Sequence, residues 1–332
     1  MSDLIVIRTS ERAALKRCPQ RWWWGWREGW KPKRPADALW FGSGVHLALA
    51  KWYLRGGERG PTPAETWARW VVDEERYIKT QGVLIDETKW ISARDLGFAM
   101  LMDYVDTYGK DDNWDVIATE QPFQVRIQAA HVPGGYIIFS GTFDGVYRDL
   151  VDGSLWLMEH KTASGFPNIG FLELDDQASG YFMAAEITLR HKGLISEHEH
   201  LSGIMYNYLR KKMPDDRPKD AQGRALNKDG SISKQQDVAR YMRHPVWRSV
   251  EQRQRTKQAI INEAELMVMY REHRLSITKT PTQDCTFCPF FQMCQLHESD
   301  ADWMEFRDAM FDRRDPYSDH RLAIKSAGSE VI

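Results

Sequence analysis

Residues Gly141 to Lys161 read GTFDGVYRDLVDGSLWLMEHK, and the rest of the chain is organised around them. Two segments rich in β-branched, aromatic and aliphatic residues, Tyr136 to Leu150 and Leu155 to Lys161, flank the pair Asp152-Gly153. Asp-Gly between such runs is a strong hairpin signal, so the spacing predicts two antiparallel strands. Asp144 lies on the first and Glu159 on the second, with Lys161 two residues further on. Side chains alternate along a strand, so Glu159 and Lys161 share a face, and hairpin pairing brings Asp144 beside them. Two carboxylates and an ammonium then meet at one point. Such oxygen ligands suit Mg²⁺ or Mn²⁺, which need few protein carboxylates because water and substrate phosphate fill the remaining positions. Taken in isolation, a D…ExK pattern is more often a salt-bridged hairpin in which Lys161 neutralises Glu159. The remainder of the chain decides between the two.

A chain of 332 residues has room for one large domain or two ordinary ones. With 42% hydrophobic and 28% charged residues the composition is that of a soluble globular protein. No apolar run approaches the roughly twenty residues of a membrane helix, and the N-terminal MSDLIVIRTSERAALKR has no secretory core, so a cytoplasmic location is expected. A net charge of −2 gives no global attraction to nucleic acid, and any such binding requires a local basic surface. Trp22, Trp23, Trp24, Trp26 and Trp30 crowd together among Arg17, Arg21, Arg27, Lys31, Lys33 and Arg34. Most of these rings read as a bulky core edge with a cationic rim, with one or two left to stack on bases.

Thr9-Ser10-Glu11-Arg12 offers a helix start, and Pro19 ends that helix near Cys18. Ala36 to Leu54 is apolar almost all round, a buried helix interrupted by Gly42 and Gly44 and carrying His46. A lone histidine there is more often a hydrogen-bonded core residue than a ligand. Pro63 to Ile78 and Thr88 to Tyr108 read as amphipathic helices, and Val116 to Ile127 as a strand containing Glu120. Asp175 to Arg190 reads as a helix with Gln177 and Tyr181 on one face, Gly203 to Leu209 as a strand, and Gln252 to His273 as a long helix. The expected class is therefore α/β, a core with a helical N-terminal cover. Between the last two elements lies a polar, turn-rich insertion, Lys211 to Gln236. Arg210, Lys211, Lys212, Arg217 and Lys219 begin a basic run there that offers a phosphate-contacting surface, although Asp215, Asp216, Asp220 and Asp229 dilute it and a solvated charged loop fits equally.

Four cysteines form one upstream position, Cys18, and a compact C-x2-C-x5-C, Cys285, Cys288 and Cys294. Close thiolates in a cytosolic chain hold a metal more readily than they form disulfides. Either a zinc ion or an iron–sulfur cluster satisfies four thiolates, and the presence of a single C-x-x-C knuckle tilts the reading towards [4Fe-4S]. Nearby His297 is a further donor that four cysteines make unnecessary. Such a site pins the first helix to the C-terminal segment.

Together these features resemble the PD-(D/E)XK nuclease superfamily, and within it the RecB-like exonucleases with an iron–sulfur cluster, including CRISPR-associated exonucleases and their phage-borne relatives. The family's G-x-x-x-H helix motif matches Gly42 to His46, its G-x-x-D matches Gly141 to Asp144, and its (D/E)-x-K matches Glu159-His160-Lys161. Its Q-x-x-x-Y matches Gln177 to Tyr181, and its one-plus-three cysteine arrangement matches Cys18 with Cys285, Cys288 and Cys294. Glu159 stands where Asp is commoner, and the insertion after Arg210 has no assignable counterpart. The resemblance implies a restriction-endonuclease-like core, a mixed central sheet flanked by helices, and one nuclease domain over residues 1–332: a helical N-terminal region over 1–110, a catalytic core over 111–210, the insertion over 211–236, a helical C-terminal region over 237–314 with the cysteine triplet, and a polar tail over 315–332. It implies that His46, Asp144 and Glu159, with the His160 backbone carbonyl, hold Mg²⁺ or Mn²⁺. Lys161 would orient the attacking water or stabilise the transition state, Gln177 and Tyr181 would position the strand or Lys161, and Glu120 would stand behind the ligands. The implied substrate is DNA with single-stranded or free ends, in repair, recombination, phage DNA processing or spacer acquisition, alone or with protein partners. The alternatives are a nucleic-acid-binding module with a silent nuclease site and a zinc-stabilised structural protein.

Overall fold

The structure, a computed structural model, describes residues 5–33, 37–80 and 86–317. Strand β1 (Val6–Arg8) leads into α1 (Thr9–Arg17), α2 (Pro19–Trp22) and β2 (Trp30–Pro32), then into three long helices, α3 (Asp37–Trp52), α4 (Pro63–Thr80) and α5 (Glu87–Tyr108). Strands β3 (Trp114–Gln128), β4 (Tyr136–Asp149) and β5 (Leu155–Ala163) follow, then α6 (Ile169–Leu172), α7 (Asp176–His191) and β6 (Leu201–Arg210). The chain closes with β7 (Tyr241–Trp247), α8 (Val250–Arg271), α9 (Phe291–Glu298), α10 (Trp303–Met310) and β8 (Phe311–Arg313). Local chemistry sets many of these limits. Pro19 opens α2 and stops α1 at Cys18, Asp175 caps α7 through the Gln177 and Ala178 amides, and Ser249 with Gln252 forms a reciprocal cap on α8. Gly153 takes φ +78° in the Asp152-Gly153 turn, where its amide closes onto the Asp149 carbonyl at 2.8 Å.

Six strands make one mixed sheet. β3 runs antiparallel along the whole of β4, from Gln128 opposite Tyr136 to Trp114 opposite Asp149. β1 pairs parallel with Ile138–Ser140 of β4, and β5 pairs antiparallel with Gly145–Arg148. A strand has two edges and β3 occupies one, so β1 and β5 share the other and leave Gly141–Asp144 between them. α7 carries the chain from β5 to its parallel neighbour β6, and β7 adds antiparallel to β6. This helix-flanked sheet is the restriction-endonuclease-like arrangement that the resemblance implies.

Alternate residues of β5 feed two cores. Leu155 and Leu157 join Trp22, Phe139, Phe182 and Ile260 beneath α1, α7 and α8, whereas Trp156 and Met158 join Val45, Trp67, Leu101 and Tyr104 beneath α3, α4 and α5. α3 runs through both glycines expected to interrupt it. A Cβ at Gly44 would run into Trp67 and Trp70, so this glycine is where α3 closes on α4. The early tryptophans are largely structural: Trp22 is fully buried and gives its indole N–H to Glu11, and Glu28 takes those of Trp23 and Trp30.

One feature of the C-terminal half differs from the sequence expectation, and two others add to it. β7 is a strand in a region expected to be helical, because its pairing partner β6 lies across the insertion. The insertion is a folded excursion with bridges between Lys219 and Ala225 and between Leu226 and Ile232. The start of the tail is docked: Tyr317 donates to Glu11 at 2.6 Å, and Arg8 donates to the Pro316 and Tyr317 carbonyls. The tail from residue 318 lies outside the described residues. Among the described residues no helix is long and apolar enough to cross a membrane.

Candidate active site

The β4–β5 ladder runs from Arg148 opposite Leu155 to Gly145 opposite Met158 and ends there. Asp144 and Glu159 are the next residues, one on each side of the fork where the strands part. Glycines make the fork tight, since a Cβ on Gly145 would collide with Met158 and one on Gly141 would lie 2.9 Å from the Phe123 ring and 3.0 Å from that of Tyr181. Asp144 turns towards α3, with Oδ1 3.1 Å from Nδ1 of His46, while Oδ2 accepts the His160 backbone N–H at 2.6 Å. Glu159 Oε1 lies 2.6 Å from Lys161 Nζ. Lys161 also donates to Gln177 Oε1 at 2.9 Å, and Gln177 Nε2 lies 3.4 Å from the Tyr181 hydroxyl. One turn of α7 thus holds the lysine that the hairpin presents. The His160 side chain faces away, buried, with Nδ1 2.9 Å from Asn207 Nδ2 and its ring stacked on Tyr53.

Glu120 belongs to the same site. In the β3–β4 register, Thr119 faces Gly145 and Gln121 faces Phe143, which sets Glu120 opposite Asp144. Its carboxylate lies 3.9 Å from His46. His46, Glu120 and Asp144 form the one trio of His, Cys, Asp or Glu among the described residues whose ligand atoms all lie within 4.8 Å of one another. Glu120 has φ +41°, a left-handed conformation costing a non-glycine residue about 1–2 kcal/mol and characteristic of functional positions. A glutamate inside an apolar strand was the sequence signal; register and backbone strain were not legible there.

Burial, and then the charge of Asp144, push Glu120 up to about 7. Burial likewise pushes Glu159 up to about 7 although Lys161 pulls the other way. Burial also acts on Asp144, yet the neighbouring His46 holds its carboxyl below the usual range. His46 is pushed up to about 9, because Asp144, and then Glu120 and Glu159, outweigh the effect of burial. Lys161 rises despite burial because Glu159 stabilises its ammonium, whereas burial lowers His160 to about 4. Glu159 Oε2 is buried and has no hydrogen-bond partner among the described residues, an omission that ordinarily costs about 1–3 kcal/mol. Two carboxylates and an imidazole whose ligand atoms converge, with the unpartnered oxygen of Glu159 across the fork, are the donor types of a hard divalent cation, and these residues fit one.

The four cysteines, supplied by the end of α1, the turn at Gln283–Phe287, its C-terminal neighbour and α9, line a cavity of about 260 Å³. Amide N–H groups of Thr280 and Thr282 point at the sulfurs of Cys18 and Cys285, at 3.5 and 3.3 Å. Burial pushes the thiols of Cys288 and Cys294 up, while Arg21 favours the thiolate of the first and Lys279 that of the second. No three of these sulfurs lie within 4.8 Å of one another. A single zinc ion, bonded to each sulfur at about 2.3 Å, draws its ligands closer together than that.

The basic run divides. Arg210 donates to the Ser164 carbonyl at 3.1 Å and lies over the Phe166 ring; Lys211 lies over Phe41, and Lys212 follows it at the end of β6. Arg217 is tied to Asp215, Ser233 and Gln235 inside the insertion, and Lys219 faces Asp237 at 3.7 Å. Further along, Arg253 pairs with Glu186 and Arg248 donates to the Leu172 carbonyl, so both serve the fold.

A mixed sheet that forks between two acids, with a lysine on one arm and a histidine brought in by a helix, defines the class as a metal-dependent nuclease. The family model described as the PD-(D/E)XK nuclease superfamily matches residues 9–295, and the chain belongs to that superfamily. No curated protein matches the chain. A solved structure described as "Crystal structure of SSO0001" is similar at 11% identity, covering 87% of this chain and 85% of that one, with a TM-score of 0.36. A likeness at that level carries no argument about this protein.

Proposed function

We propose that the chain is a Mg²⁺- or Mn²⁺-dependent deoxyribonuclease, an exonuclease acting at single-stranded or free DNA ends in the cytoplasm. The observation that carries this reading is the fork itself, where Asp144 meets His46 and Glu120 on one side and Glu159 pairs with Lys161 on the other. His46, Asp144, Glu159 and Glu120 would hold the ion. When bound, a divalent ion polarises the scissile phosphate and lowers the pKa of water. Lys161 supplies fixed positive charge where the phosphorane develops its negative charge, and Gln177 keeps that ammonium from rotating away. The His160 amide, by holding Oδ2 of Asp144, leaves Oδ1 for the site.

Roles in repair, recombination, phage DNA processing or spacer acquisition, and partners within such complexes, are compatible with this chemistry. For the cysteines we favour a [4Fe-4S] cluster over zinc. The sulfur spacing and the amide donors support the larger occupant, whose function would be to tie α1 to the C-terminal segment. The test is cleavage of end-labelled single- and double-stranded DNA by anaerobically purified protein with Mn²⁺, Mg²⁺ or EDTA, beside Asp144→Ala. Metal-dependent cleavage absent from Asp144→Ala is expected. No cleavage by folded, cluster-loaded protein would turn the reading to a nucleic-acid-binding module.

A further inference from the structure

Parallel pairing of β5 with β6 sets Tyr206 beside Glu159, Tyr208 beside Lys161, and Arg210 beside Ala163. Paired residues of neighbouring strands project on the same face, so the row Glu159, Lys161, Ala163 has a second row alongside it: Tyr206, Tyr208, Arg210. The inner member, Tyr206, is buried and gives its hydroxyl to the Leu172 carbonyl. Tyr208 differs. It is half-buried, its ring lies against Tyr206 at 26°, and its hydroxyl has no hydrogen-bond partner among the described residues. Arg210 sits one step further out, two residues or about 6.6 Å along the strand. Its guanidinium has carbonyl partners, Ser164 at 3.1 Å and Ala239 at 3.4 Å, but no carboxylate within ion-pair distance among the described residues. The backbone at Gly165 comes close beneath it, where even a Cβ would lie 3.4 Å from Nη2.

We propose that Tyr208 and Arg210 form a substrate track leading outward from Lys161. The Tyr208 hydroxyl donates to a phosphate oxygen beside the scissile group, and Arg210 neutralises the next phosphate along. The backbone step between the two residues is comparable to the step between successive phosphates of an extended strand, and the small side chain of Ala163 beside Arg210 adds little bulk there. This rests on the nuclease reading and adds to it two residues that grip substrate without touching the metal ligands.

The experiment measures binding of a fluorescent single-stranded oligonucleotide in the Asp144→Ala background, where the substrate survives, together with thermal melting. Adding Tyr208→Phe, which keeps the ring, is expected to weaken binding about tenfold, with melting temperature and salt dependence unchanged. Adding Arg210→Gln is expected to weaken binding and reduce the slope of log affinity against log salt by about 0.7, the contribution of one single-strand phosphate. Unaltered affinity in Tyr208→Phe, with the Asp144→Ala parent binding normally, overturns the track and leaves the nuclease reading standing. Failure of the parent itself to bind DNA overturns both.

Discussion

The fork at Asp144 and the cysteine cavity are both multi-ligand sites, but they are built in opposite ways. One hairpin and the helix after it supply Asp144, Glu159, Lys161, Gln177 and Tyr181, and the fold already neutralises much of their charge: Lys161 bonds Glu159, and His46 bonds Asp144. The cysteine site instead joins the end of α1 to a segment beyond α8, and no side-chain cation is hydrogen-bonded to a thiol among the described residues. A site whose charges are balanced by its own protein keeps its shape without a ligand. A site of half-buried thiols gathered from both ends of the chain gains its closure from a ligand that bridges them. On the proposed reading the first is a place for chemistry and the second for stability.

The sharpest way to break this contrast is at Lys161. Lys161→Ala should lower single-turnover cleavage by about 100- to 1,000-fold, with a circular dichroism spectrum like the parent's and an unchanged cysteine-site ligand. Full activity in that variant would remove the fork from the chemistry. Cys18→Ser should show the reverse pattern: loss of the bound metal or cluster and a fall in melting temperature of about 10 °C or more, with any loss of cleavage tracking the unfolded fraction. Melting at the parent temperature with the ligand lost would make the cysteine cavity something other than a clasp.

Next in size is the pH dependence. His46 at about 9 and Glu120 and Glu159 at about 7 must shed protons before they can bind a cation, so the Mn²⁺ concentration for half-maximal cleavage should fall as pH rises from 7 to 9. In the metal-free protein the sign reverses. His46, raised above its unfolded value, contributes stability fully present below about 6.5 and lost as pH rises through 9, and the raised Glu120 and Glu159 lose theirs between about 4.5 and 7. Metal-free melting should therefore decline with pH over the range in which metal binding improves; a pH-independent Mn²⁺ requirement would exclude these ligands. The smallest effect concerns Glu120. Glycine in a strand usually costs about 0.5–1 kcal/mol, but at φ +41° Glu120→Gly should melt no lower than the parent while needing more Mn²⁺. A clear destabilisation would mean that Glu120 is held there by packing and not strained for function.

The hairpin, the long helices and the α/β class were legible because they rest on local signals: Asp152-Gly153 at the turn, alternation along β4 and β5, Pro19 and Asp175 at helix ends. Grouping Asp144 with Glu159 and Lys161 needed only strand periodicity and one turn. β1, β2 and β8 escaped notice because three residues carry no measurable period, and β7 because an insertion separates it from its partner.

By itself, the amino-acid sequence determined which residue types carry chemistry and which segments are strands or helices, since turn, cap and period are properties of neighbours along the chain. Tertiary structure alone decided that β1 and β5 share one edge of β4 and so open the fork. It also set Glu120 opposite Asp144, and Tyr208 and Arg210 beside the row that starts at Glu159. These are matters of register between strands distant in sequence, and register is chosen by the packing of both faces of the sheet at once, which no single stretch of the chain encodes.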